Sequence, residues 1–221
     1  MFTRTTQLIG QDAFERLQQT RIILFGVGGV GGWCAEALVR TGIRHLTIVD
    51  FDTVATSNLN RQIVATQHNI GEPKAEQMRL RLLSLNPQAD IIARCERFGD
   101  PDILIQWSDY DIVIDAIDSV AAKARLLYEA TAAGKRVFSS MGAARKTDAG
   151  QVKTAEFKKV IGCPLARAVR QKMKQTMLFP QGKVMCVYSE ELSGESGTIA
   201  PVVGTFGMQL AGLVINDIIK E

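Results

Sequence analysis

No two of the four cysteines, Cys34, Cys95, Cys163 and Cys186, form a C-x-x-C pair. That spacing argues against a structural zinc site, so no zinc is expected. The opening MFTRTTQLIGQDAF is broken by polar residues and carries no basic, apolar leader. Together these argue against a disulfide framework and place the expected compartment in the reducing cytoplasm. His45 and His68 are the only histidines, and neither is predicted near a strand C-terminus. Hydride transfer needs an acid–base residue there and a substrate domain, so it is disfavoured. The P-loop signature G-x-x-x-x-G-K-[ST] is absent. There is no internal repeat and no low-complexity tract. Thr198 to Ile215 gives 18 residues without a charge, the lower limit for a membrane span. It contains Pro201, Gly204, Gly207, Gln209 and Gly212, and reads as a buried or subunit-contact helix with no membrane role.

What is present is an ordinary globular composition, 46% hydrophobic and 22% charged, over 221 residues. That length suits one domain, 1–221, with a sizeable core. The chain is organised around Arg21 to Asp52, RIILFGVGGVGGWCAEALVRTGIRHLTIVDFD. An apolar run leads into a glycine cluster, then a helical pattern ending at Gly42, then a second apolar run ending at Asp50. Gly26, Gly28 and Gly31 match G-x-G-x-x-G in its required strand–turn–helix frame. The first glycine permits the tight turn, the second lets a phosphate approach the backbone, and the third lets helix and strand pack closely. The helix N-terminus offers unpaired N–H groups and a positive dipole to an anion. Asp50 follows Gly26 by 24 residues, near the position of a ribose-binding acid. The alternative is a glycine-rich turn that only packs.

Residues 8–19 are predicted as an amphipathic helix, with Arg4 on a mobile segment before it. Strands are predicted at 22–26, 45–50, 89–95, 111–116 and 136–140. Helices are predicted at 30–41, from Gly71-Glu72-Pro73 to Asn86-Pro87, at 101–107 and at 120–133. This alternation predicts an α/β fold, a Rossmann-like doubly wound and mostly parallel sheet. In the C-terminal third, 151–157 and 184–189 are expected as antiparallel additions. They flank a basic helix, 164–175, and an apolar helix, 202–220, closes the chain. Ser193 to Gly197 reads as a flexible loop.

Charge is uneven. From Lys135 to Lys183 the chain has twelve basic residues against Asp148 and Glu156, a balance of +10. The rest carries 14 basic and 21 acidic residues, a balance of −7. So one-sided a block suggests a polyanionic partner, nucleic acid, over the plain reading of a solvated helix face.

The glycine turn, Asp50, Asp52, Asn58, Arg61, Lys74 and Asp118 fall at predicted strand ends on one edge of the sheet. Lys74 sits at a helix N-terminus, where a cation costs a few tenths of a kcal/mol, roughly, unless an anion uses it. Arg and Lys beside carboxylates suit a triphosphate with Mg2+: cations offset charge on phosphoryl oxygens and an Asp holds the metal. The residues alone thus point to an ATP-using enzyme on a Rossmann-like sheet.

The series GxGGxG, DFDTVATSNLNRQ, GEPKAE and DAIDS resembles the ThiF-type, ubiquitin-activating-enzyme-like adenylating family over nearly the whole chain. The resemblance implies ATP-dependent adenylation of a carboxylate with release of pyrophosphate. It implies Gly26, Gly28, Gly29 and Gly31 around the phosphates and Asp50 on the ribose. Asn58, Arg61 and Lys74 would bind phosphates and stabilise charge at the α-phosphate, and Asp118 would hold Mg2+. Arg4 would reach across a homodimer into the neighbouring site.

DAIDSVAAKARL, CPLARAVRQKMK, VMCVYSEE and GTFG further resemble the bacterial tRNA threonylcarbamoyladenosine dehydratase branch. That implies tRNA as substrate, ring closure after adenylation and net loss of water. A sulfur-transfer protein stays open as a partner. The alternative is an adenylyltransferase acting on the C-terminus of a small sulfur-carrier or ubiquitin-like protein, a branch that commonly carries zinc cysteines. A NAD-dependent oxidoreductase or a non-catalytic nucleotide sensor would leave Arg61 and Lys74 without a task. Cys186 reads as a small core residue rather than a sulfur acceptor. Trp33 and Trp107 read as packing residues.

Overall fold

The apolar runs read as strands all enter one sheet. The computed structural model describes residues 1–220. It opens with helices α1 (Thr3–Ile9) and α2 (Gln11–Gln19), then strand β1 (Arg21–Phe25), α3 (Gly29–Thr41) and β2 (His45–Val49). The chain continues through α4 (Lys74–Leu85), β3 (Asp90–Arg94), β4 (Ile112–Asp115), α5 (Val120–Ala132) and β5 (Arg136–Ser140). It ends with β6 (Lys153–Glu156), α6 (Pro164–Thr176), β7 (Val184–Tyr188) and α7 (Ala200–Ile219). The seven strands lie in the order β3-β2-β1-β4-β5-β7-β6.

Side chains alternate across this sheet and so build two cores. Ile22 and Leu24 of β1 face α3, α4 and α7, while Ile23 and Phe25 face α5 and α6. Both faces of β1 are covered, which is why its sequence is an apolar run and not an alternation. Phe25 aligns with Val49 of β2 and with Asp115 of β4. The three strands therefore end level, and Gly26, Asp50 and Ala116 start one common edge.

α7 crosses α3 at very short range. A Cβ at Gly207 would stand 2.6 Å from Val30 O, and one at Gly29 would stand 2.5 Å from Val203 Cγ1. Among the described residues α7 is the one helix long and apolar enough to cross a membrane, and half of its apolar window is buried inside the protein.

Four expectations change. β7 pairs parallel to β5, and only β6 is antiparallel, on β7; α6 returns the chain to the far end of the sheet before β7 begins. The first helix is broken in two by Gly10, whose φ of +85° a helix cannot contain. Arg4 accordingly sits on α1 and not on an irregular segment. No α-helix forms at 101–107, only a single 3-10 turn at Trp107–Asp109. Leu104 there is 82% exposed, while Ile105 and Trp107 reach the core from backbone that is not α-helical. Finally, 193–197 is tethered: Arg145 N donates to Gly197 O, Ser193 N to Arg145 O, and the Arg145 guanidinium to Ser193 O and Gly194 O.

Candidate active site

The level strand ends open into a cavity of about 820 Å3. One half is walled by Gly26, Gly28, Gly29, Asp50, Asp52, Arg61 and Lys74, the other by Asp118, Ala121, Gly142, Ala143, Ala144 and Leu165.

The glycine turn is shaped by what cannot fit. Gly26 has φ +85°, and a Cβ there would stand 2.9 Å from Ala116 O. A Cβ at Gly31 would stand 1.8 Å from Gly26 O. Gly31 is therefore a packing glycine behind the turn, outside the cavity wall, whereas Gly26, Gly28 and Gly29 line it. Gly28 caps α3, so the first N–H groups of that helix face the cavity without helical partners.

Asp50 is tied to the backbone at both carboxylate oxygens. Its Oδ2 accepts from Val27 N at 2.7 Å and its Oδ1 from Asp52 N at 2.9 Å. It thereby clamps the glycine turn to the end of β2. Burial pushes its carboxyl pKa up, against the pull of the two backbone donors and the Lys74 ammonium. Two backbone bonds leave carboxylate lone pairs for further donors.

Lys74 is the first residue of α4 and is buried, its Nζ 3.0 Å from Asp52 Oδ2. A short bridge between Thr53 and Pro73, with Lys74 N donating to Asp52 O at 2.9 Å, brings them together. Asp52 is thus the anion that offsets the cation at this helix N-terminus. Arg61 is fixed from behind, its Nη1 donating to Ser57 O at 2.7 Å and Asn60 Oδ1 at 2.9 Å.

Asn58 and Arg4 are not in the cavity wall. Asn58 is buried and accepts from Ala55 N at 3.0 Å, so it shapes the loop that carries Arg61. Arg4 is exposed on α1. Asp118 lines the cavity, is exposed, and has no hydrogen bond or ion pair among the described residues. Its hard carboxylate oxygens suit Mg2+, which takes one or two carboxylates together with phosphate oxygens and waters. Among the described residues no three His, Cys, Asp or Glu gather as a metal cluster.

Two features escaped the sequence. Gln62 lines the cavity beside Gly28 and is 7% exposed, and its Oε1 is the one buried side-chain polar atom without a partner among the described residues. It stands next to Arg61 in a motif already singled out, and the orphaned atom was its only signal. Beneath the cavity floor lies a sealed ion pair, Lys123 Nζ to Asp115 Oδ2 at 2.5 Å, with both side chains at 0% exposure. Asp115 also accepts from Ser139 Oγ at 2.6 Å and from Ile117 N at 3.1 Å, and Lys123 donates to Ser140 O at 2.9 Å. The pair ties the Asp118 loop to the end of β5. Asp115 opens the DAIDS stretch and Lys123 lies in DAIDSVAAKARL, but neither residue type nor spacing shows that the two pair.

Cys186 is buried and its thiol is pushed up to about 12, first by burial, so it is no thiolate. Trp33 packs against Gly204 and Gly207 of α7, and Trp107 against Phe25.

The structure divides the basic segment. Lys146 is buried, its Nζ donating to Glu191 O, and burial lowers its pKa. Arg170 donates to Phe157 O and Val160 O, Lys153 pairs with Glu190, Lys158 with Glu156, and Arg136 with Asp217. Lys135, Lys159, Arg167, Lys172, Lys174 and Lys183 have no side-chain hydrogen bond or ion pair among the described residues.

A model of the ThiF family matches residues 2–221. The tRNA threonylcarbamoyladenosine dehydratase of Bacillus subtilis is 35% identical over 86% of this chain and 74% of its own. The crystal structure of the E. coli tRNA N6-threonylcarbamoyladenosine dehydratase in complex with ATP superposes with a TM-score of 0.92 at 34% identity, covering 99% of this chain and 93% of that one. The E. coli molybdopterin-synthase adenylyltransferase is 31% identical over 89% of this chain and 72% of its own.

Proposed function

The chain belongs to the ThiF family, and on that premise we propose that it uses ATP to adenylate the carboxylate of threonylcarbamoyladenosine in tRNA, acting as one adenylating domain over residues 1–221. The observation that carries this is the meeting, in one cavity, of a side-chain-free turn, two cations at Lys74 and Arg61, and an unpaired carboxylate at Asp118. The glycine turn and the α3 N-terminus hold the phosphates, and Asp50 accepts from the ribose hydroxyls. Arg61 and Lys74 stabilise the charge that grows on the α-phosphate oxygens as the carboxylate oxygen bonds to phosphorus and pyrophosphate departs. Asp118 holds Mg2+, which supplies charge neutralisation on the phosphates when bound. The wall of Ala121, Gly142, Ala143, Ala144 and Leu165 leaves room for the acyl group. The substrate's carbamoyl group then attacks the activated carbonyl, closes a ring and expels AMP. Its proton and the carboxylate oxygen leave, so the net loss is water. ATP-bound relatives and the unpaired α6 cations support this reading.

We infer a homodimer in the cytoplasm as the working unit; the exposure of Arg4 on α1, outside its own chain's cavity, supports its reaching the site of a second copy. Arg61→Ala should abolish AMP release with threonylcarbamoylated tRNA while leaving the fold intact. Mixing Arg61→Ala with Arg4→Ala protein should restore activity, because one site of the mixed dimer then has both arginines. Full activity of Arg61→Ala would remove it from the site. AMP or pyrophosphate released only with a small carrier protein would establish the adenylyltransferase alternative.

A further inference from the structure

A second cavity of about 470 Å3 lies at the opposite end of the sheet from the glycine turn. Its walls are Phe157, Met173, Phe179, Pro180 and Val184, with Lys158, Arg170 and Lys174 among its polar neighbours. Arg170 is not available for charge contacts. Its Nη2 is spent on two backbone carbonyls, and its guanidinium lies 5.1 Å from the centre of the Phe157 ring. Phe179 is 45% exposed, so part of its ring is open to a ligand in the cavity. Glu156, the one acid in the wall, is neutralised by Lys158 at 2.9 Å.

The active site and this second cavity are joined by α6. Leu165, in its first turn, walls the active site, and Lys174, in its last, walls the second cavity. Between them the exposed positions are Arg167, Gln171 and Lys174, spaced as one helix face. Lys183 flanks the same end, immediately before Val184 of β7, which lines the cavity. A cationic stripe that begins at a reaction site and ends in an aromatic pocket matches what single-stranded nucleic acid requires: charge for the backbone and a ring on which a base can stack. An acidic protein would use the lysines but would have no need of the pocket.

We propose that the second cavity receives an unstacked base of the RNA substrate, stacked on Phe179, with Lys174 and Arg167 on the intervening phosphates. This rests on the tRNA reading above. Leu165 to Lys174 spans nine residues, about 14 Å along a helix.

The test uses the full chain and three readouts. Phe179→Ala should weaken tRNA binding about tenfold or more, with ATP affinity and melting temperature unchanged. Lys174→Glu with Arg167→Glu should weaken binding and reduce its salt slope by about two. Photocrosslinking to tRNA should map a nucleotide to the peptide containing Phe179. Unchanged tRNA affinity in Phe179→Ala, with crosslinks elsewhere, would overturn the base pocket while turnover of threonylcarbamoylated tRNA kept the tRNA reading intact. Absence of any tRNA binding by the wild type would sink both. A carrier protein protected by Phe179 in place of RNA would assign the cavity to that partner and overturn the proposal.

Discussion

Two lysine–aspartate pairs stand on either side of the active-site floor. Lys74 and Asp52 meet at 3.0 Å with the aspartate side chain 49% exposed; Lys123 and Asp115 meet at 2.5 Å with both at 0%. Residue types and distances are nearly the same, yet the two pairs have different work. At the rim Lys74 is buried but the Asp52 carboxylate is open to water, which screens the pair and weakens its contribution to stability, and Lys74 lines the cavity, where it can turn to a phosphate. Under the floor no ligand can enter, and the pair joins the Asp118 loop to β5 through Ile117 N and Ser140 O. Exposure of the carboxylate, not the pairing, separates a binding device from a scaffold.

The largest effect should come from breaking the sealed pair. Lys123→Met leaves Asp115 as an uncompensated buried charge, which costs about 3–5 kcal/mol, a large part of a domain's stability. Urea unfolding should show it. Adding Asp115→Leu should recover much of the loss, since no charge then remains. If Lys123→Met unfolded at the wild-type midpoint, the pair would not be holding the floor together.

Next comes the rim. Lys74→Met keeps the buried methylenes and removes the ammonium. ATP–pyrophosphate exchange should fall about 10²–10³-fold, the usual loss for one donor aimed at developing charge. Stability should change by less than about 1 kcal/mol. A loss of stability equal to that of Lys123→Met would erase the contrast between the pairs.

The same contrast explains how far the sequence could be read. That Gly26, Gly28, Gly29, Asp50, Arg61 and Lys74 would gather at one edge of the sheet was legible, because strand ends and the turns after them sit at readable places in the chain, and all six line one cavity. So were the parallel sheet and nearly every element within a residue or two. Asp115 and Lys123 were not, because their link spans two strands and a helix and leaves no local pattern. Asn58 was assigned to phosphate from its motif, but its carbonyl is spent on Ala55 N. The basic block was legible as composition only. Which of its members are free depends on tertiary carbonyls, at Glu191 for Lys146 and at Phe157 and Val160 for Arg170.

Glu36 lies between the two extremes and gives the smallest effect. Its side chain is 5% exposed, but Arg81 at 2.6 Å and Arg40 at 2.8 Å keep their heads partly in water. Burial raises its carboxyl pKa, and the two guanidiniums more than reverse that, leaving it below the usual glutamate value. A depressed folded-state pKa contributes stability above the unfolded value, near pH 4.3, and loses it as pH falls through the folded one. Glu36→Gln should therefore unfold about 1–2 kcal/mol more easily than wild type at neutral pH, the worth of a charged hydrogen bond. The gap should close as the pH drops below about 4. Denaturant midpoints for both proteins across that range measure it directly. A gap that stayed constant into acid would mean the arginines hold α3 and α4 together by shape rather than by charge, and Glu36 would join the sealed pair as scaffold.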